Sequence, residues 1–524
     1  MQVGQHRARA IPFWRSFLLA CCILVLPSCS DRSQEAADNA ALAEQALGRD
    51  NLPAARAAIA AAIADRDDVA GYHVLRGRIE LALGSPGAAF DAYSNALGLD
   101  PTNGEALLAV AQLGLSTGNL RESLDATERV LALAPDQLDA LLVRGIHAVV
   151  KRDYPEAIGY GDRILTLSPG HEGGTILKAR ALFMSRKPGD ALATLDGLSG
   201  DAGGSEPVVL TRLEIYRALR QPTGMAAAFE RLRELRPDDL ALRIDEANFR
   251  FKQGDRRQAH RLLEATLSSA AADARSARLT VALWDEYGAH DIPADGLERI
   301  NREAPVAARV VLARFLIEQG RARDAARTLA TLPPSVNAGL AARNYLLAGD
   351  VARAEQLAAQ VLGRDKTECD GLIAAGQGAL EQERPADALR LAQQASSECP
   401  ALPGTWTLAA SAYERLGREG GVNRVYAQAL DANKQSSPLT AAYARWLVSV
   451  DRPREAIAMA RRLTRYAPAL ISGWRLYGDL CRRFDRTCSA EAAAGMANAQ
   501  TLFGIDLPPG TPPPNGLFGR LVQR

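Results

Sequence analysis

Through most of the chain, apolar residues recur at i, i+3, i+4 and i+7, the spacing that lines them along one side of an α-helix. They fill two faces of each predicted helix. A helical hairpin standing alone cannot bury two apolar faces, so the pattern predicts hairpins stacked on their neighbours around a continuous core. Ala, Leu, Arg, Glu and Gln, all strong helix formers, dominate these stretches. Runs rich in Val, Ile, Thr or Tyr, as strands require, are missing. The expectation is an all-α chain.

Proline punctuates the pattern. Pro101, Pro135 and Pro169 are spaced by 34 residues; Pro237 follows 68 later and Pro305 another 68 later. After a shift in phase, Pro400 and Pro468 are again 68 apart. A 34-residue period belongs to helix–turn–helix repeats, and other positions keep the same step. In residues 70–103, Gly77 falls at position 8 and Gly84 at position 15, followed by Ala89, Tyr93 and Ala96 and closed by Pro101. Residues 138–171 place Gly145 at position 8 and Asp153, Tyr154 and Pro155 across the turn. Residues 403–436 carry Trp406, Tyr413, Gly417, Tyr426 and Ala429, with Lys434 where a closing proline is expected; Trp474 and Gly478 repeat positions 4 and 8 in the last unit.

On these residues the chain resembles the tetratricopeptide repeat family over nearly its whole length beyond the N-terminal segment. The resemblance implies an α-solenoid, a right-handed superhelix of about fourteen hairpins, with the first helix of each hairpin (helix A) lining a concave surface. Unit starts fall near Ala36, Ala70, Gly104, Leu138, Glu172, Glu206, Leu240, Ala274, Val306, Ser335, Cys369, Pro403, Ser437 and Ile471. The unit from Glu172 degenerates into a Gly-rich stretch at 197–205, and the units from Ala274 and Val306 are weak. Residues 274–334 therefore read as a kink or boundary, dividing an N-terminal array (40–305) from a C-terminal one (306–503). Residues 504–524 leave the pattern, and their proline run 508–514 favours an extended polyproline conformation.

Charge narrows the function. The 62 basic and 61 acidic residues leave a net charge of +1, which argues against a nucleic-acid partner. The N-terminus is a targeting segment. Arg7, Arg9 and Arg15 precede an apolar stretch at residues 17–26, too short to span a bilayer and of signal-peptide length. Leu26, Pro27, Ser28 and Cys29 resemble a bacterial lipobox, with Pro27 as a departure. That resemblance implies cleavage of residues 1–28, lipidation of Cys29, a tether over 29–39 and a membrane anchorage through acyl chains. Ser30 is not the aspartate associated with inner-membrane retention, so the outer membrane is expected, with the chain on its periplasmic side. Ordinary cleaved secretion and an uncleaved anchor are the alternatives.

The family's ligand-facing positions on helix A pick out Leu142, Ile146, Val149 and Val150, then Ile176, Arg180, Phe183 and Met184, then Ile244, Phe251 and Lys252. Toward the C-terminus they pick out Glu414, Arg415, Arg445, Arg475, Arg482 and Arg483. The resemblance thus implies an apolar mid-groove suited to a partner helix or extended peptide, and a basic section suited to an acidic partner. The competing reading makes the apolar positions inter-repeat core and the arginines a solvated face.

Four cysteines remain beyond Cys29: Cys369, Cys399, Cys481 and Cys488, which allow three connectivities. The repeat frame puts Cys369 and Cys399 at adjoining ends of one hairpin and Cys481 and Cys488 astride the turn of the last, implying those two disulfides; four unpaired cysteines are the alternative. Six scattered histidines show no metal-ligand spacing, and no Gly-rich stretch sits in a phosphate-loop setting. No cofactor, metal or enzymatic activity is expected. Resemblance to lipid-anchored tetratricopeptide proteins implies a scaffold in envelope assembly or exopolysaccharide export; an adaptor that recruits periplasmic enzymes such as peptidoglycan hydrolases is the alternative.

Overall fold

A computed structural model of the chain describes residues 28–288 and 292–502. Residues 1–27, the body of the signal segment, and the proline-rich tail from 503 lie outside them. Cys29 falls within the first helix, but its side chain is also outside the described set.

The chain is an α-solenoid of hairpins, with helix A starts at Ala70, Gly104, Leu138, Glu172, Glu206, Leu240, Ala274, Val306, Pro334, Cys369, Pro403, Ser437 and Ile471. The first hairpin departs from the expected frame: its helix A spans Ser28–Gly48, so the stretch read as a tether, 29–39, is helical.

Local chemistry explains the frame. Asn103, Asp153, Asp239 and Asp255 each precede a helix and accept a hydrogen bond from a first-turn N–H, the N-cap arrangement that satisfies an otherwise unpaired donor. The closing prolines serve through their carbonyls. Trp406 Nε1 donates to Pro400 O at 2.7 Å and Trp474 Nε1 to Pro468 O at 2.8 Å, tying position 4 of one hairpin to the end of the one before. At Gly77 an added Cβ would stand 2.6 Å from the Tyr93 ring, so position 8 must be bare for helix B to close in. In the last hairpin a Cβ at Gly478 meets only ordinary contacts, and the close approach has moved to Gly495 against Trp474.

The A–B turns need a left-handed residue. Gly84 supplies it at φ 69°, whereas Arg152 adopts φ 62° with a full side chain. Left-handed backbone costs an L-residue about 1–2 kcal/mol, partly offset by glycine's larger unfolded-state entropy. Arg152 is exposed, so Arg152→Gly should stabilise its array by about 0.5–1 kcal/mol. A urea midpoint followed by circular dichroism checks this, and a lower midpoint would contradict it.

Two compact units divide at Thr211–Arg212. The boundary expected at 305/306 is therefore corrected. The break lies by the Gly-rich stretch, where helix B shrinks to Pro188–Asp196 and a four-residue helix, Gly200–Gly203, follows. The weak units at 274–334 do have short B helices, Ala294–Glu303 and Ala322–Leu329. Their A helices nevertheless stay inside one apolar cluster running from Ile244 to Leu340, with Trp284 fully buried and stacked 6.4 Å from Phe315. Core packing bridges the shortened hairpins.

In the first unit, Tyr93, Leu107 and Val110 lie in one core cluster, and Leu141, Ile146 and Leu177 in the next. In the second, Trp406, Tyr426, Tyr443, Trp446 and Tyr477 make an aromatic core. The second unit also closes on itself. Lys252 Nζ, at the end of the Leu240–Lys252 helix, donates to Ala469 O at 3.1 Å, Ala499 O at 2.9 Å and Leu502 O. Glu286 Oε1 accepts from Ser472 N at 2.9 Å, in the first turn of Ile471–Phe484, where a carboxylate also suits the helix dipole.

Candidate functional site: the concave cavity of the second unit

Six consecutive A helices of the second unit, from Ala274–Tyr287 to Ser437–Ser449, wall a cavity of about 760 Å³. Its sides are mixed. Val281, Phe315, Leu346, Leu347 and Leu402 supply apolar surface, while Arg278, Asp285, Glu318, Glu381 and Arg445 bring charge. Stacking of helix A upon helix A does this: the helices from Val306 to Glu381 contribute mainly their later turns, and Pro403–Arg415 its first turn, to a shared interior.

The floor is a buried ion cluster. Asp370 lies in the first turn of Cys369–Glu381, just after the N-cap Glu368, whose carboxylate takes the N–H groups of Asp370 and Gly371. Asp370 is 2% exposed and receives Arg343 Nη1 at 2.7 Å and Arg314 Nη2 at 2.5 Å. Arg343, itself 5% exposed, also stands 3.6 Å from Glu318. Burial opposes the charge on Asp370, but the two guanidiniums outweigh it and hold the carboxyl below the ordinary range. Burial wins at Glu318, Glu368 and Asp285, whose carboxyls are all pushed up; at Asp285 the cavity walls strip away water despite a hydrogen bond from Gln319 at 2.8 Å. The ion pairs tie three of the A helices together, Val306–Glu318, Pro334–Leu347 and Cys369–Glu381, and leave Arg278 and Arg445 on the walls, both exposed to the cavity's solvent.

The sequence-derived groove fares unevenly. Ile146, Val149 and Phe251 are 2%, 6% and 6% exposed and belong to the core. That corrects their assignment as ligand-facing: an apolar side chain at those positions is covered by the next hairpin, as Ile146 is in the cluster with Leu177 and Ala181. Phe251 stacks on Tyr287 at 4.5 Å. Leu142 and Phe183 are half-buried and Met184 is exposed, all in the first unit. Arg445 does line the cavity. Arg475 and Arg482 are exposed away from it, the latter paired with Asp479. Sequence reasoning missed Arg278, Arg314, Arg343, Glu318 and Asp370. Their helix A positions were readable, but the pairing of residues 56 apart carries no local signature.

The cysteines stand as the frame implied. Cys369 and Cys399 have Cα atoms 6.4 Å apart, and Cys481 and Cys488 5.6 Å, both within disulfide range.

Residues 40–104 and 108–172 match a family model described as a tetratricopeptide repeat. No curated protein sequence matches the chain. Among solved structures, a tetratricopeptide repeat protein from Parabacteroides merdae aligns at 16% identity, covering 47% of this chain and 98% of that one, with a TM-score of 0.40. PilF of Pseudomonas aeruginosa aligns at 18% identity over 40% and 96%, with a TM-score of 0.32. The Naa15/Naa10 complex bound to HypK-THB aligns at 13% identity over 89% and 95%, with a TM-score of 0.26. The family match supports the tetratricopeptide assignment, and such repeats indicate a scaffold for protein–protein interaction.

Proposed function

We propose that this scaffold is lipid-anchored through Cys29 at the periplasmic face of the outer membrane, and that the second unit's concave cavity holds an extended segment of a partner protein. The service is assembly of the envelope, with exopolysaccharide export as the preferred setting. The carrying observation is the cavity itself: six A helices present apolar walls, two exposed guanidiniums and, beneath them, Arg314 and Arg343 paired with the buried Asp370. Apolar walls with a few fixed polar groups suit an extended segment whose side chains alternate between the two. Two cysteine pairs at disulfide distance fit an oxidising compartment such as the periplasm and support the placement.

Photo-crosslinking tests both halves together. A benzophenone side chain replaces Leu347, which is 41% exposed and lines the cavity, or Arg424 on the exposed face of Glu419–Ala432 as a control. Partners captured in the intact envelope at 347 but not at 424, together with an acylated Cys29 by mass spectrometry, are the expected result. Equal capture at both positions would sink the cavity as the docking site. Capture of peptidoglycan hydrolases in place of export proteins would move the function to an enzyme-recruiting adaptor.

A further inference from the structure

Where the two ends of the second unit meet, a smaller cavity of about 230 Å³ opens between the helices Leu240–Lys252 and Ala274–Tyr287 on one side and Gln435, Ala467, Ala469 and Leu470 on the other. Its walls are mainly carbon, from Ile244, Leu279, Leu283 and Leu470. Three charged side chains also line it: Asp245, Glu286 and Lys252. The Lys252 ammonium has three N–H groups and is directed at three main-chain carbonyls, so its charge is already engaged by the seam. Glu286 is 7% exposed and holds the Ser472 N–H. Asp245 has Arg217 at 3.5 Å, the outer limit of a hydrogen bond. Crowding by the cavity walls pushes its carboxyl above the ordinary range in spite of that arginine, although the side chain is 45% exposed. The lining therefore carries two carboxylates and one engaged ammonium, with Arg217 reaching Asp245 only at 3.5 Å from outside it, beside a surface that rewards a hydrocarbon.

We propose that this seam cavity binds a small organic cation, an ammonium or guanidinium on an apolar body, with Asp245 as its counter-ion. A charge delivered to a carboxylate among apolar walls is held more strongly than in water, and the hydrocarbon body displaces water from the leucine side chains. The volume lies below the roughly 300 Å³ at which pockets begin to take drug-sized ligands, which restricts the guest to a small amine or one basic side chain. Because the walls come from both ends of the unit, a guest bridges them and stabilises the closed form by mass action.

The test uses the full chain and three probes in titration calorimetry: phenethylammonium, its uncharged isostere 2-phenylethanol, and an end-capped Leu-Lys-Leu tripeptide. The expected result is binding of a cationic probe at least about tenfold tighter than the alcohol, a difference of about 1.4 kcal/mol. Asp245→Asn, at a half-exposed position that should fold normally, abolishes that preference. A tighter amine assigns the site to free small molecules, and a tighter tripeptide assigns it to a basic side chain of a partner. Equal binding of amine and alcohol, no binding by either cation, or a preference that survives in Asp245→Asn would overturn the proposal.

Discussion

Replacing Asp370 by alanine should cost the second unit about 3–5 kcal/mol, the usual consequence of removing one partner of a buried ion pair. The variant leaves Arg343 5% exposed with only Glu318, 3.6 Å away, to answer it. Trp284, Trp406, Trp446 and Trp474 all lie in this unit, so tryptophan fluorescence in a urea titration reports on it directly. A loss under about 1 kcal/mol would mean that water compensates the arginines and that the cluster is not a closed floor. Replacing Asp370 with Leu and Arg343 with Met together should cost less than Asp370→Ala, because the most deeply buried guanidinium goes with its partner, while Arg314, a quarter exposed, keeps Glu318 as a neighbouring opposite charge.

The same cluster gives stability a pH dependence with two signs. Glu318, Glu368 and Asp285 have folded-state carboxyls above their ordinary values, so the folded unit binds more protons than the unfolded chain, and stability falls as pH rises through that range. Acidifying from neutral should first stabilise the unit. Asp370 is held below its ordinary value, so its contribution is full above the unfolded Asp pKa, about 3.9, and is lost as pH falls further toward its folded value. The urea midpoint should therefore pass through a maximum on the acid side of neutral.

Removing the Cys369–Cys399 disulfide ranks second. It closes a loop with a sequence separation of 30, for which the chain-entropy model gives about 3–4 kcal/mol; the Cys481–Cys488 loop, separated by 7, gives about 2 kcal/mol. A Cys369→Ser/Cys399→Ser variant should lose the larger amount and keep a smaller sensitivity to reductant through the remaining pair. Wild-type protein whose urea midpoint ignores reductant would have free thiols, and the oxidising-compartment argument would go with them.

Much of the fold was legible because its signals are local. Prolines 34 apart, glycines at position 8 and Asp or Asn before several helices act within one hairpin or between neighbours, and the unit from Ser335 was displaced by a single residue from Pro334. The first hairpin was placed late because residues 28–35, polar and without repeat signature, still propagate a helix. The functional surface was far less legible. At helix A positions such as Ile146 and Val149, the same apolar residue serves as core or ligand contact according to how far the next hairpin overlaps it, and that overlap is a property of the stack. Likewise Arg314 and Asp370 are ordinary surface-type residues until three intervening helices bring them to 2.5 Å. The unit boundary was misplaced for a related reason: short B helices look like a break, yet Trp284 and Phe315 hold the A helices together.

The Lys252 clasp gives the second unit a way of counting. Hairpins in a stacked array can fold from any point and spread, each docking on the one just made. The clasp instead joins residues 217 to 250 apart, a closure whose entropic cost is roughly 5 kcal/mol without the intervening structure. It can form only after every hairpin between has docked at the right pitch. One hairpin too many or too few would carry the carbonyls of Ala499 and Leu502 past the ammonium, so the bond is a ruler that certifies a complete array.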